Sequence, residues 1–169
     1  KSEKVESQNI LNYNSSLFKV IFSFYNKFMI SDEQKKELFT IAKHMLNFSY
    51  APYSNFKVGA ALITKDGKIF TGCNVENAAY GPSNCAERTA FFKAISEGEL
   101  SFEGIMIVGG PNGIIKDYCA PCGVCRQVMM EFCNPETFSI FLAKDENDII
   151  EYKLKNLMPL GFGNADFKK

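Results

Sequence analysis

The sequence predicts an α/β fold of three layers, α/β/α, with a mixed central sheet of about five strands and helices on both faces. Three observations point there. Helix-type and strand-type patterns alternate along residues 31–169 in the order α-β-β-α-β-α-β-β. The first two strand runs flank Lys65-Asp66-Gly67-Lys68, and Asp-Gly between such runs is a strong hairpin signal. Phe102–Gly109 is apolar on both faces, as expected of a strand covered from two sides. With no internal repeat and no linker, residues 31–169 read as one domain and residues 1–30 as an N-terminal extension.

The extension begins polar and rich in Asn, Ser and Lys, a composition expected to be partly disordered, and then turns apolar from Leu17 to Ile30. That second part predicts a helix packed on the domain or at a subunit interface. Ser31-Asp32-Glu33-Gln34 has the pattern of a capping box, and Leu38, Phe39, Ile41, Ala42, Met45 and Leu46 then recur at helical spacing, ending near Asn47. The single histidine, His44, lies off that apolar stripe and reads as a surface residue. Phe56–Ile63 and Lys68–Val75 form the hairpin, and a loop through Gly81-Pro82 leads to a helix from about Asn84 to Glu97, stopped by Gly98. After the Phe102–Gly109 strand come a loop, a helix over Cys122–Cys133, and strands over Phe138–Ala143 and Ile149–Leu154.

Composition narrows the function. Nineteen basic residues balance nineteen acidic ones, which gives no electrostatic footprint for nucleic acid. No run approaches the roughly twenty apolar residues of a membrane span. The chain begins at Lys1 rather than Met, so the true N-terminus, with any targeting segment, is expected upstream. Six cysteines are unevenly spread, with Cys119, Cys122 and Cys125 three residues apart, which reads as metal binding in a reducing, cytoplasmic compartment.

The chemistry concentrates in Cys85-Ala86-Glu87-Arg88 and Pro121-Cys122-Gly123-Val124-Cys125-Arg126, each at a predicted helix start. A helix N-terminus favours the thiolate that a metal needs. Three thiolates hold zinc and leave a fourth position open, the arrangement of catalytic rather than structural sites. Glu87 beside such a centre reads as a proton shuttle. Zn²⁺ with three thiolates carries a net charge of about minus one. Arg88 and Arg126, the only arginines among the nineteen basic residues, stand next to the proposed ligands and read as offsetting that charge. A closed structural site with Cys119 or Cys73 as fourth ligand stays open on this evidence. An iron–sulfur run does not, because position 129 is Met and Cys133-Asn134-Pro135 comes too late.

Tyr53-Ser54-Asn55-Phe56-Lys57-Val58-Gly59-Ala60-Ala61, Asn74-Val75-Glu76-Asn77-Ala78-Ala79-Tyr80, Cys85-Ala86-Glu87-Arg88-Thr89-Ala90 and Pro121-Cys122-Gly123-Val124-Cys125-Arg126-Gln127 stand in order across residues 31–167. In them the chain resembles the cytidine deaminases of the small homotetrameric, zinc-dependent type. The tail departs mildly, with Asp166-Phe167 where the family has Asp-Leu. The resemblance implies one zinc per subunit on Cys85, Cys122 and Cys125. It implies hydrolytic deamination of cytidine and deoxycytidine, in which hydroxide on zinc attacks C4 and Glu87 shuttles protons, as a step of pyrimidine salvage. It makes Phe56, Asn74, Glu76 and Ala86 substrate-binding residues, with Asn74 and Glu76 on the ribose hydroxyl, and puts Tyr80 and Phe162 at a neighbouring subunit's pocket. A deaminase of an aminoglycosyl-cytosine antibiotic and a polynucleotide-editing deaminase share related chemistry. The Asn74/Glu76 pair favours a free nucleoside.

Overall fold

Ser31 starts the domain by capping helix α1, Asp32–Met45: its hydroxyl accepts from the Gln34 N–H and the Gln34 side chain returns to the Ser31 N–H. A computed structural model describes residues 30–168. The expected disordered segment and apolar helix of the extension therefore lie, apart from Ile30, outside the described residues. A 3₁₀ turn at Leu46–Phe48 closes α1 and leads to the hairpin of β1, Phe56–Thr64, and β2, Ile69–Cys73. Helix α2 spans Ala86–Ser96, β3 Phe102–Pro111, α3 Gly123–Phe132, β4 Ser139–Ala143 and β5 Ile149–Lys153. A short helix α4, Leu154–Leu157, and a 3₁₀ turn at Asn164–Lys168 follow, neither expected from periodicity, because both are shorter than any helical repeat can reveal.

The sheet runs β2-β1-β3-β4-β5. β1 is antiparallel to both β2 and β3, β3 and β4 are parallel, and β4 and β5 are antiparallel, so the sheet is mixed. The parallel pair is joined through α3, the crossover that parallel strands require. Alternation along the strands divides the core. Ala61, Ile63, Met106, Val108 and Phe141 face Leu38, Phe39 and Ala42 of α1. Ala60, Leu62, Ile105, Ile107, Ile140 and Leu142 face the other way, with Ala86, Ala90, Phe91 and Met129 of α2 and α3. The three layers follow from a period of two in the strands meeting a period near 3.6 in the helices. Among the described residues, no helix is long and apolar enough to cross a membrane.

Two glycines set how deeply the helices lie. A Cβ on Gly59 would come 2.0 Å from the Ala42 carbonyl oxygen, and one on Gly72 would come 2.1 Å from that of Ala86 and 2.6 Å from the Ala90 nitrogen. Backbone cannot yield at such distances. Gly72→Ala must therefore lift the start of α2, and with it Cys85 and Glu87, off the sheet. Overpacking of this kind costs about 1–3 kcal/mol. A lower midpoint of thermal unfolding together with weakened zinc binding is the expected result, and an unchanged midpoint would contradict the packing account.

Candidate metal centre

Both cysteine segments end in the same local structure. Cys85 is the N-cap of α2 and Cys122 the N-cap of α3, each in extended conformation, and neither side chain caps its own helix. The sulfurs are left free to face each other. Cys125, in the first turn of α3, completes the group. Cys122 Sγ lies 3.8 Å from Cys85 Sγ and 3.5 Å from Cys125 Sγ, and all three sulfurs fall within 4.8 Å of one another. Zinc–sulfur bonds of about 2.3 Å at tetrahedral angles put ligand sulfurs about 3.8 Å apart. The donor set and its spacing fit zinc. Among the described residues this is the only cluster of at least three His, Cys, Asp or Glu side chains that could hold a metal.

Two further features suit an anionic metal–thiolate group. Arg88 donates to the Ser83 carbonyl at 3.0 Å and reaches Cys85 Sγ at 3.8 Å. Its Nε is buried with no hydrogen-bond partner among the described residues. A buried donor left without a hydrogen-bond partner is costly unless concentrated negative charge lies beside it. Without metal, Cys85 and Cys125 contend for a proton. The Cys85 thiol is pushed down to about 5, chiefly by its hydrogen bond with Cys125 and then by Arg88, against the opposing effect of burial. Cys125 is pushed up by the same bond and by burial.

Arg126 does something else. Its Nε donates to the Pro121 carbonyl and a terminal nitrogen to that of Leu157, both at 2.8 Å. It braces the loop carrying Cys122 against α4, and its described hydrogen bonds go to these carbonyls. Arg126, four residues after Cys122, thus uses these donors on main-chain carbonyls, whereas Arg88, three residues after Cys85, reaches a ligand sulfur.

Glu87 stands in the first turn of α2, 4% exposed. Burial pushes its carboxyl up to about 7, a hydrogen bond to its own backbone N–H opposes this, and the Cys85 charge adds to the rise. The consequence for the metal-free protein has a definite sign. Below the ordinary pKa of 4.5 the group is protonated both folded and unfolded and costs nothing; as pH rises through about 7 the folded state must ionise a buried carboxyl. The penalty is on the order of 3 kcal/mol. Denaturation in chelator should show Glu87→Gln gaining on the wild type between these pH values. A stability difference independent of pH would contradict the burial.

The remaining candidates are held as follows. Asn55 adopts a left-handed conformation, φ 54°, which Asn tolerates, and turns the chain into Phe56 at the head of β1. The amide of Asn74, at the end of β2, spans the Phe56 carbonyl and the Val58 N–H, each at 2.8 Å. Glu76 Oε2 accepts from the N–H groups of Tyr53 at 3.0 Å and Ser54 at 3.2 Å, and chiefly a bond from the Ser54 side chain holds the carboxyl below its ordinary value. Ala86 is fully buried, with its carbonyl group close against Gly72. Tyr80 and Phe162 stand 77% and 59% exposed, and the Phe162 ring meets Phe167 edge-on. His44 is exposed on α1, edge-on to Phe48. Cys73 is buried and bonds the Phe48 carbonyl, Cys133 packs on the core, and burial pushes the Cys119 thiol up to about 12.

Sequence reasoning missed Ser49, Ser54, Ser83 and Leu157, which hold Asn74, Glu76, Arg88 and Arg126. No local signal marks them, because each acts through a bond made only on folding.

Residues 32–141 match the family model described as the cytidine and deoxycytidylate deaminase zinc-binding region. A cytidine deaminase of Sporosarcina psychrophila is 44% identical over 131 residues, covering 78% of this chain and 93% of that protein. One from Halalkalibacterium halodurans is 47% identical over 118 residues, covering 70% and 86%. The crystal structure of a cytidine deaminase from Burkholderia pseudomallei superposes with a TM-score of 0.68 at 48% identity, covering 75% of this chain and 97% of that one.

Proposed function

The chain belongs to the cytidine and deoxycytidylate deaminase family, and from that premise we propose that it is a zinc-dependent hydrolase converting free cytidine and deoxycytidine, with water, to uridine and deoxyuridine and ammonia. The observation that carries the reading is a buried carboxyl, Glu87, in the first turn of α2 and two residues from a sulfur of a three-cysteine cluster whose spacing fits zinc. Cys85, Cys122 and Cys125 hold the metal. When bound, zinc supplies Lewis acidity, which makes water acidic and nucleophilic near neutral pH.

Glu87 does the proton work. A carboxyl poised near pH 7 can both accept and return a proton. It takes one from the attacking water and gives it to ring N3, which makes C4 electrophilic. It then takes the second proton from the hydroxyl added at C4 and passes it to the departing amine, so that ammonia leaves and the carbonyl of uracil remains. Phe56 lies along the pyrimidine ring, Ala86 offers its main chain, and Asn74 and Glu76 hold the sugar hydroxyl. Arg88 offsets thiolate charge, which preserves the Lewis acidity that three thiolates would otherwise weaken.

The exposed Tyr80 and Phe162 support a homotetramer with shared active sites, each aromatic closing a neighbour's pocket. Six free thiols suit a reducing cytoplasm, and a formal charge of zero suits a nucleoside rather than nucleic acid. In this reading the enzyme serves pyrimidine salvage. Ultraviolet absorbance of cytidine, followed with assay of released ammonia, tests the function. Matched loss of cytidine and gain of ammonia is expected. Neither, from zinc-loaded protein, would overturn it.

A further inference from the structure

Asn74 and Glu76 are already partly engaged by the protein itself, and what remains unengaged governs how they meet a ligand. Asn74 Oδ1 accepts from the Val58 N–H at 2.8 Å and from Ser49 Oγ at 2.6 Å, while Nδ2 donates to the Phe56 carbonyl at 2.8 Å. An N–H can only donate and a carbonyl can only accept, so the amide has a single orientation. Both lone pairs of Oδ1 are taken. One Nδ2–H remains. The backbone N–H groups of Tyr53 and Ser54 converge on Glu76 Oε2 and the Ser54 side chain also bonds this carboxylate, whose four lone-pair sites still leave one to accept. A donor beside an acceptor suits one hydroxyl, which accepts from Asn74 and donates to Glu76.

Among the described residues, Ser49 is the only side chain that hydrogen-bonds Asn74. It follows the 3₁₀ turn after α1, and the next residue is pinned to the same segment: the Tyr50 N–H donates to the Asn74 carbonyl at 3.0 Å and the Tyr50 carbonyl accepts from Glu76 N–H at 2.8 Å.

We propose that Ser49 is a positioning residue for the nucleoside's 3′-hydroxyl, saturating Asn74 Oδ1 so that the amide meets the sugar only as a donor. The inference rests on the reading of Asn74 and Glu76 as sugar ligands. Without the Ser49 hydroxyl, a lone pair on Oδ1 competes with Glu76 for the substrate's hydroxyl proton, and the remaining N–H is less polarised. Sugar binding weakens, whereas Glu87 and the three thiols are untouched. The loss therefore falls on KM and leaves kcat in place.

Steady-state kinetics of the zinc-loaded full chain with cytidine and 3′-deoxycytidine test this. Ser49→Ala should raise KM for cytidine about three- to tenfold, the worth of one hydrogen bond, with kcat little changed and KM for 3′-deoxycytidine unmoved. Ser49→Thr keeps the hydroxyl and should restore KM. Ser49→Cys, near-isosteric with a weaker donor, should shift KM in the same direction and carries the test should the alanine variant not fold. An equal shift on both substrates, no shift, or no rescue by Thr overturns the positioning role. A wild type that handles both substrates alike sinks the sugar reading itself, and the role of Ser49 with it. Absence of cytidine turnover in the wild type sinks the deaminase reading, a separate result.

Discussion

Glu87→Gln protein is expected to bind a full complement of zinc and to turn cytidine over about a thousandfold more slowly than the wild type. The two halves of this result have different causes. Zinc stays because its ligands are the three sulfurs, whose spacing already matches tetrahedral coordination without Glu87. Turnover goes because an amide of nearly the same shape neither accepts nor returns a proton at neutral pH. Gln also removes the buried ionisable group, so the variant should fold at least as well as the wild type above neutrality. Metal analysis and the absorbance assay on one preparation check both halves. Full activity would remove Glu87 from the mechanism, and loss of zinc would make it a ligand.

Cys125→Ser should abolish zinc binding and activity together, while Cys119→Ser and Cys73→Ser keep one zinc per chain. Cys125 is almost fully buried in the first turn of α3, so water cannot readily replace its sulfur at the metal. A serine hydroxyl is a poor substitute, because it does not ionise as a thiol does. Cys119 behaves oppositely: burial and the nearby charges of Glu87 and Cys85 keep it a neutral thiol. Inductively coupled plasma analysis of the variants decides the matter. Zinc lost from Cys119→Ser as completely as from Cys125→Ser would indicate a closed site of four thiolates, with no position left for water.

Much of the site was legible because its information is local. Cys85 and Cys122 announce themselves as residues at helix starts, where thiolates are stabilised, and Glu87 follows one of them at the spacing of a helical first turn. The hairpin was legible in Asp66-Gly67, where Gly67 takes the positive φ of 88° that the turn requires. The bonds that orient these groups were not legible. Arg126 stands beside a ligand in sequence, yet its described hydrogen bonds go to the Pro121 and Leu157 carbonyls, the second a partner that only folding brings near. Gly72 reads as an ordinary strand glycine until α2 is laid across it at a distance only glycine permits. Ser49 gains its meaning from Asn74, twenty-five residues away. The short α4 is held from outside its own residues, by Arg126, rather than by any apolar periodicity.

The central claim is that cytidine deamination depends on zinc held by Cys85, Cys122 and Cys125. Stripping the protein with a thiol-compatible chelator, following cytidine absorbance, and then returning zinc in measured amounts tests it most directly. The expected result is an inactive stripped protein whose activity returns in proportion to added zinc and saturates at one ion per chain. Turnover that survives complete removal of the metal, or zinc-saturated protein that leaves cytidine unchanged, would contradict the claim.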